Sequence, residues 1–365
     1  MHEIGWDSYD RSMLRFLRVP LIPRLCLVAL AFLLAGCGSH APPAAANPFG
    51  RLVLGRSQRL TLRSQAGTEQ TLVSTPPGSF PAWPAWSPDG SRIAYVQSIP
   101  FTGQTTADWG GDIYVLPAAG GTPQLIRQHS QAGDEVYGLA WTADGKSLLA
   151  GIHTTTFTNG AYAGATQHLE RVDLTGGQGT VLVPNAVFPS VTHDGARMAY
   201  LTQNPETGEG GIWVSSIDGT DAHQLISYGD RFPAILSPRI SPSGDAVAFS
   251  APPGAPQADP TPAGRSIEPN ILKDLLAALL PAPAAAHGLP MDIWRVSTVN
   301  AAVQQLTHVN EDDPSVAWSR DGSQIVFFAT GGLYTVNSDG SGLKKIGQGE
   351  FNGNIDTEWA AAAGP

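Results

Sequence analysis

From residue 51 onward, short apolar runs alternate with tight polar turns, and the alternation recurs. Each copy has an apolar strand, a polar turn ending in Asp-Gly or Ser-Gly, and a second apolar strand. The fullest copy is Ala85-Trp86-Ser87-Pro88-Asp89-Gly90-Ser91-Arg92-Ile93-Ala94-Tyr95. Others centre on Trp141-Thr142-Ala143-Asp144-Gly145, Val191-Thr192-His193-Asp194-Gly195, Ile240-Ser241-Pro242-Ser243-Gly244 and Trp318-Ser319-Arg320-Asp321-Gly322. In such turns Ser or Thr bonds nearby backbone, Pro presets φ and Gly accepts positive φ. A second strand pair follows each copy, as at Asp112-Ile113-Tyr114-Val115 before Gly120-Gly121 and Leu333-Tyr334-Thr335-Val336 before Asp339-Gly340. Each unit therefore holds four short strands.

The spacing sets the architecture. Asp89 to Asp144 is 55 residues, Asp144 to Asp194 is 50, and Asp194 to Ser243 is 49. Four strands at such a period predict propeller blades. At the N-terminal end, Arg51–Leu54, Arg59–Leu62 and Glu69–Val73 read as the second, third and fourth strands of a blade. At the other end, Asp356-Thr357-Glu358-Trp359 reads as a first strand, with Trp359 in the place of Trp86. Joined, the two ends would make one shared blade, which removes the unpaired edges of an open ring. The expected fold is all-β, a six-bladed β-propeller of four-stranded antiparallel blades over 51–365.

The repeat resembles the WD40-like blades of the TolB-type β-propeller family. The likeness rests on the W-S-P-D-G pattern, complete at Trp86-Ser87-Pro88-Asp89-Gly90. It implies the fold and says little about function, which on such scaffolds resides in loops.

One blade departs from the period. Ser243 to Asp321 is 78 residues, and the excess lies in a Pro/Ala-rich insertion at 251–290. Within it, apolar residues at 271, 272, 275, 276, 279 and 280 predict a short amphipathic helix between Pro269 and Pro281. Its apolar stripe would pack on its own propeller or dock a partner or lipid.

Ahead of the repeats the pattern changes. Arg11, Arg15, Arg18 and Arg24 precede an apolar run from Leu25 to Leu34 that closes on Ala35-Gly36-Cys37. This is the layout of a secretory signal, and the run is too short to span a bilayer comfortably. The tetrad Leu34-Ala35-Gly36-Cys37 resembles the lipobox of bacterial lipoproteins. That resemblance implies loss of residues 1–36, lipidation of Cys37 and stable anchoring by two or more acyl chains. Residues 37–50 read as a flexible tether. The expected place is the cell envelope: the outer membrane or periplasmic face if there are two membranes, otherwise the outer face of the plasma membrane.

Charge narrows the partners. The formal net charge is −10 over 365 residues, only 14% of residues are charged, and the leader is itself net positive. Phosphate backbones would repel such a chain, so nucleic acid is not expected. Gly (41) and Pro (30) suit a turn-rich β protein.

No catalytic signature is present: there is no Gly-x-Ser-x-Gly elbow, no His-Glu-x-x-His, no phosphate loop and no dinucleotide fingerprint. The histidines show no ligand spacing, so neither a metal nor a cofactor is expected. The segments leading into each first strand should lie near the channel mouth, and they carry Asp134, Glu135, Asp230, Asp312, Asp313 and Asp356. These would form a carboxylate rim attracting a cation or a basic protein segment, unless they are only solvated loop charges. The expected function is a non-enzymatic module binding a protein partner in the envelope. The alternative is a lyase or hydrolase with its site at the channel mouth.

Overall fold

The computed structural model describes residues 48–103, 108–176, 179–204, 207, 209–229, 231–253, 290–350 and 353–359. Cys37, the tether to Asn47, the helix expected at 271–280 and Asp230 lie outside these residues. The described residues are all-β, with no helix.

The strands run in fours. The first three among the described residues are β1 (Leu52–Arg56), β2 (Arg59–Arg63) and β3 (Glu69–Ser74). Next come β4 (Phe80–Trp86), β5 (Arg92–Ile99), β6 (Gly110–Pro117) and β7 (Gln124–Arg127). The following four are β8 (Asp134–Trp141), β9 (Ser147–Thr158), β10 (Ala161–Asp173) and β11 (Thr180–Pro184). Then follow β12 (Ala186–Val191), β13 (Arg197–Gln203), β14 (Gly210–Ser216) and β15 (His223–Ser227). After them come β16 (Leu236–Ile240), β17 (Ala246–Ala251), β18 (Pro290–Ser297) and β19 (Val303–Gln305), with the two-residue β20 (Glu311–Asp312) beside β18. Last are β21 (Ser315–Trp318), β22 (Gln324–Phe328), β23 (Leu333–Asn337), β24 (Lys344–Gly347) and β25 (Asn354–Thr357).

Within each group neighbours pair antiparallel in chain order. The groups β4–β7 and β8–β11 are also joined by a single parallel bridge, Gly110 to Asp134. The two ends of the chain share one sheet, ordered β25-β1-β2-β3, with Leu52 opposite Thr357 and Leu54 opposite Ile355. The expected pairing of the two ends is therefore present, but its register differs by two residues. Leu52 corresponds to Ile93, whose partner is Trp86, so Thr357 fills the tryptophan position. Trp359 lies beyond the strand and packs against His193, the rings tilted with centroids 4.6 Å apart. The Thr357 hydroxyl donates to the Trp318 carbonyl at 2.6 Å, which suits it to the buried slot.

The core is divided among the interfaces between sheets. Val53 and Leu60 pack with Trp86, Ile93 and Tyr95. Leu52, Leu54 and Ile355 pack with Val326, Phe328 and Leu333. Val187 and Val214 meet Val247, Phe249 and Trp294. Middle strands are thus covered on both faces, and β17 is buried at every position. A strand with two covered faces loses the in–out alternation of a half-exposed sheet.

The repeated turns are built as their chemistry dictates. Ser87 Oγ donates to Asp89 Oδ1 at 2.6 Å, the Arg92 N–H returns to Ser87 Oγ at 2.9 Å, and Gly90 takes φ of 68°. Thr142 with Asp144, Thr192 with Asp194, and Ser319 with Asp321 repeat the hydroxyl-to-carboxylate bond. Hydrogen bonds from Ser87 and Ser91 hold the Asp89 carboxyl down at about 2. Arginines then tie one group to the next: Arg92 sits 4.7 Å from the Trp141 ring and donates to the Gly145 carbonyl at 2.8 Å.

Candidate functional site

The first strands β4, β8, β12, β16, β21 and β25 lie side by side in that order, and β25 lies beside β4. Between them is an axial space with two compartments. Residues early in these strands, or just before them, line a cavity of about 420 Å3: Phe80 and Trp83, Glu135 and Tyr137, Phe188, Ser237, Asp313 and Asn354. Later residues line a small cavity of about 40 Å3 that includes His193, Arg239, Asp356 and Trp359. The larger cavity is the mouth. The smaller has room for about one water molecule.

An irregularity repeated in the first strands shapes the mouth. β4, β8, β12 and β16 each carry one extra residue relative to their partner, between Ala82 and Ala85, Val136 and Leu139, Val187 and Ser190, and Leu236 and Arg239. Such bulges bend a strand and redirect its side chains. At the bulge the backbone turns left-handed: Trp83 has φ of 49°, Gly138 96°, Phe188 55° and Ser237 52°. Just before β21, Asp313 has φ of 43°. The four non-glycine residues each precede a proline and all four line the mouth. Left-handed backbone costs about 1–3 kcal/mol per such residue, and strain of this kind gathers at functional sites.

Hydrogen bonds between neighbouring first strands brace this arrangement, one of them at the Trp83 bend. Asn354 Oδ1 accepts from the Trp83 N–H at 3.1 Å, and Asp356 Oδ2 from the Trp86 N–H at 2.8 Å. Ser190 Oγ accepts from the Ile240 N–H at 3.0 Å, and Ser315 Oγ from the Ile355 N–H at 3.3 Å. Each stitch supplies a buried amide with a partner from the neighbouring group.

The mouth is aromatic and acidic. Trp83 meets Phe188 edge to face at 5.1 Å, and Tyr137 stacks on Phe188 at 5.9 Å. The Tyr137 hydroxyl donates to Glu135 Oε2 at 3.1 Å. Burial pushes the Glu135 carboxyl up, partly offset by that hydrogen bond. Burial also pushes Asp313 up, reinforced by the charge of Asp312. No Lys, Arg or His lines the cavity among the described residues.

The structure separates the other acidic positions. Asp134 is buried and faces away, accepting hydrogen bonds from the Ser130 N–H at 3.1 Å, the Ser130 hydroxyl and the Thr154 hydroxyl at 2.6 Å. Burial alone would raise its carboxyl, but these bonds and Arg127 outweigh it and hold it down. Asp312 lies in β20, half-buried, opposite Pro290. Asp356 lies deeper than the rim, in the small cavity. Burial pushes it up to about 6 against the opposing charge of Arg239. The expected rim thus reduces, among the described residues lining the mouth, to Glu135 and Asp313.

Trp83, Tyr137 and Phe188 went unnoticed in the sequence. Their signal was a Pro or Gly step ahead of the turn motif: Trp83-Pro84 and Phe188-Pro189 begin three residues before Trp86 and Val191, and Tyr137-Gly138 begins four before Trp141. Beside the mouth the β9–β10 hairpin runs past its neighbours and carries Phe157, which stacks with Phe101 at 5.6 Å. Tyr162 near its tip is 61% exposed, so this ridge presents aromatic surface to solvent. Among the described residues, no group of three or more His, Cys, Asp or Glu is placed to hold a metal ion.

Comparisons with known proteins agree on architecture. No family model matches the chain. An uncharacterised protein of Agrobacterium fabrum is 32% identical over 166 residues, covering 45% of this chain and 48% of that protein. The chain thus spans about half the length of the curated relative it matches. Among solved structures, TolB from Acinetobacter baumannii superposes with a TM-score of 0.55 at 18% identity, over 85% of this chain and 67% of that one. A putative TolB from Agrobacterium tumefaciens gives 0.52 at 16% identity, over 83% and 92%. A chain of a nidogen/laminin complex gives 0.57 at 10% identity, over 85% and 99%. At these identities the likeness shows the fold, a β-propeller, and nothing more.

Proposed function

We propose that this protein is a lipid-anchored, extracytoplasmic β-propeller, closed as six blades, that binds an envelope protein through its mouth face without catalysing a reaction. The supporting observation is the convergence of Trp83, Phe188, Ser237 and Asp313, all in left-handed backbone, on one cavity of about 420 Å3. Pockets of about 300–1,000 Å3 take a side chain or a small molecule, and here an exposed aromatic ridge flanks the opening. Glu135 and Asp313 are the carboxylates assigned to recognition. Cys37 is the assigned lipid attachment point; of the expected tether 37–50, Phe49 is buried against Leu52 and Ile355, so the part proposed to hold the propeller off the membrane is 37–47.

The enzymatic alternative finds less support. Among the described residues lining the mouth, no hydroxyl or carboxylate is hydrogen-bonded to a histidine, the pairing that activates a hydrolytic nucleophile. A photo-crosslinking side chain at Ser98, on the mouth, should give a discrete protein adduct in native envelopes. The same group at Ser91, on the opposite turn face, should give none. Equal labelling from both, or none from Ser98, would remove the mouth as the binding face. Cys37→Ala should move the protein from the membrane fraction to the soluble one.

A further inference from the structure

Charge and ring geometry at the mouth say more about what enters it, granted that the mouth is the binding face. The cavity holds two carboxylates, and no cationic side chain among the described residues lines it. Among the described residues, Glu135 has one hydrogen-bond partner, the Tyr137 hydroxyl. Asp313 accepts no hydrogen bond from the described residues, and its charged neighbour is the like-charged Asp312. Its backbone is nonetheless held left-handed before Pro314, which keeps it at the cavity. Beside the carboxylates stands a continuous wall of three rings, Trp83, Phe188 and Tyr137. Aromatic faces attract cations electrostatically, the more so where water is excluded, and a carboxylate adds charge-assisted hydrogen bonds. A neutral apolar guest would leave Asp313 desolvated without a partner, and an anion would be repelled by both acids. We propose that the mouth captures a guanidinium or ammonium side chain, an arginine or lysine presented by a segment of the partner protein. The cation lies against the Trp83–Phe188–Tyr137 wall, with Glu135 and Asp313 as its counter-charges. The small cavity beneath limits how deeply the chain inserts.

The probes are acetyl-Gly-Arg-Gly-amide, its lysine analogue and its citrulline isostere, titrated into the mature protein while the Trp83 indole N–H resonance is followed. Arginine and lysine peptides should shift it saturably at low salt, with the citrulline peptide at least about tenfold weaker. Asp313→Asn and Glu135→Gln should each weaken the arginine peptide by about fivefold or more. Ser98→Lys, at a half-buried strand position on the cavity wall, places a cation in the mouth and should abolish the response. It also guards against misfolding of the acid variants. Equal binding of the citrulline peptide, or arginine binding unchanged in Asp313→Asn and Ser98→Lys, would overturn the cation assignment. Ser98 crosslinks would survive that result, whereas loss of those crosslinks would remove the mouth itself.

Discussion

Adding one methyl group at Gly138 tests whether the mouth is as tightly fixed as its bends require. A Cβ there would lie 2.7 Å from Phe188 Cα and 3.1 Å from Pro189 Cδ, on backbone at φ of 96°. Two costs therefore combine, and two other glycines separate them. Gly160, at the tip of the β9–β10 hairpin, has φ of 79° and nothing within 4 Å, so Gly160→Ala carries the backbone cost alone. That cost is about 1 kcal/mol. Gly151 in β9 is not left-handed, yet its Cβ would lie 2.5 Å from the Tyr137 carbonyl oxygen and 2.8 Å from Val187 Cα. Gly151→Ala carries the crowding cost alone, about 1–3 kcal/mol for overpacking against backbone that cannot move freely. Gly138→Ala should then cost about 2–4 kcal/mol, a large share of a stability of about 5–15 kcal/mol. Urea unfolding at 25 °C, followed by far-ultraviolet circular dichroism and by tryptophan fluorescence, gives all three values. If Gly138→Ala costs no more than Gly160→Ala, β8 and β12 separate without penalty. The mouth would then not be a rigid site.

Three further perturbations probe the supports of the mouth. Glu358 is buried and grips Arg51 through Nη2 at 2.6 Å and Nε at 3.0 Å. Removing a buried partner costs about 3–5 kcal/mol, less here because Arg51 remains partly exposed, so Glu358→Ala should lose about 2 kcal/mol in a urea titration. Loss of under about 0.5 kcal/mol would mean that this clasp does not help hold the chain ends together. Arg92→Met keeps the apolar stem but loses the Trp141 contact and the Gly145 bond, and thermal melting should show a loss of about 1 kcal/mol. Asp356 titrates near 6 in the folded protein against 3.8 ordinarily, so the fold prefers it protonated. Stability from this group is full below 3.8 and is lost as pH rises through 6, at most about 3 kcal/mol. Asp356→Asn should flatten that fall. A wild-type-minus-variant difference that is the same at about pH 4.5 and 7.5 would refute the raised value.

How much was legible in the sequence follows from the range of each interaction. The Ser87–Asp89 and Thr142–Asp144 turns close within a few residues, so their chemistry and period could be read directly. The pairing of β1 with β25 was legible because the two ends carry complementary strands, but its register was not. Trp359 matched the expected letter, while Thr357 matched the space, and only packing against Trp318 distinguishes them. Parity hid the division of Asp134 from Glu135. Adjacent residues on a strand point to opposite faces, and which one faces the mouth depends on a bulge two positions later. The bulges were least visible of all. A residue before proline is ordinarily extended, so Trp83-Pro84 and Phe188-Pro189 read locally as plain strand.

The reason these bends persist is that no sheet bears its own strain alone. First strands form the inner edges of their sheets, so backbone amides there find acceptors on the neighbouring first strand: Trp83, at a bulge, on Asn354, and likewise Ile240 on Ser190 and Ile355 on Ser315. The acceptors are side chains of other first strands, so the bend at Trp83 is fixed by its neighbour's sequence as much as by its own. A left-handed tryptophan or aspartate would relax if its sheet stood free. Between two packed neighbours, relaxing would break a stitch and open an apolar interface. Strain at the mouth is therefore offset by burial elsewhere, as at Phe249 and Trp294. Such a site can keep an acid such as Asp313, which accepts no hydrogen bond from the described residues, at a cavity wall without collapsing around it.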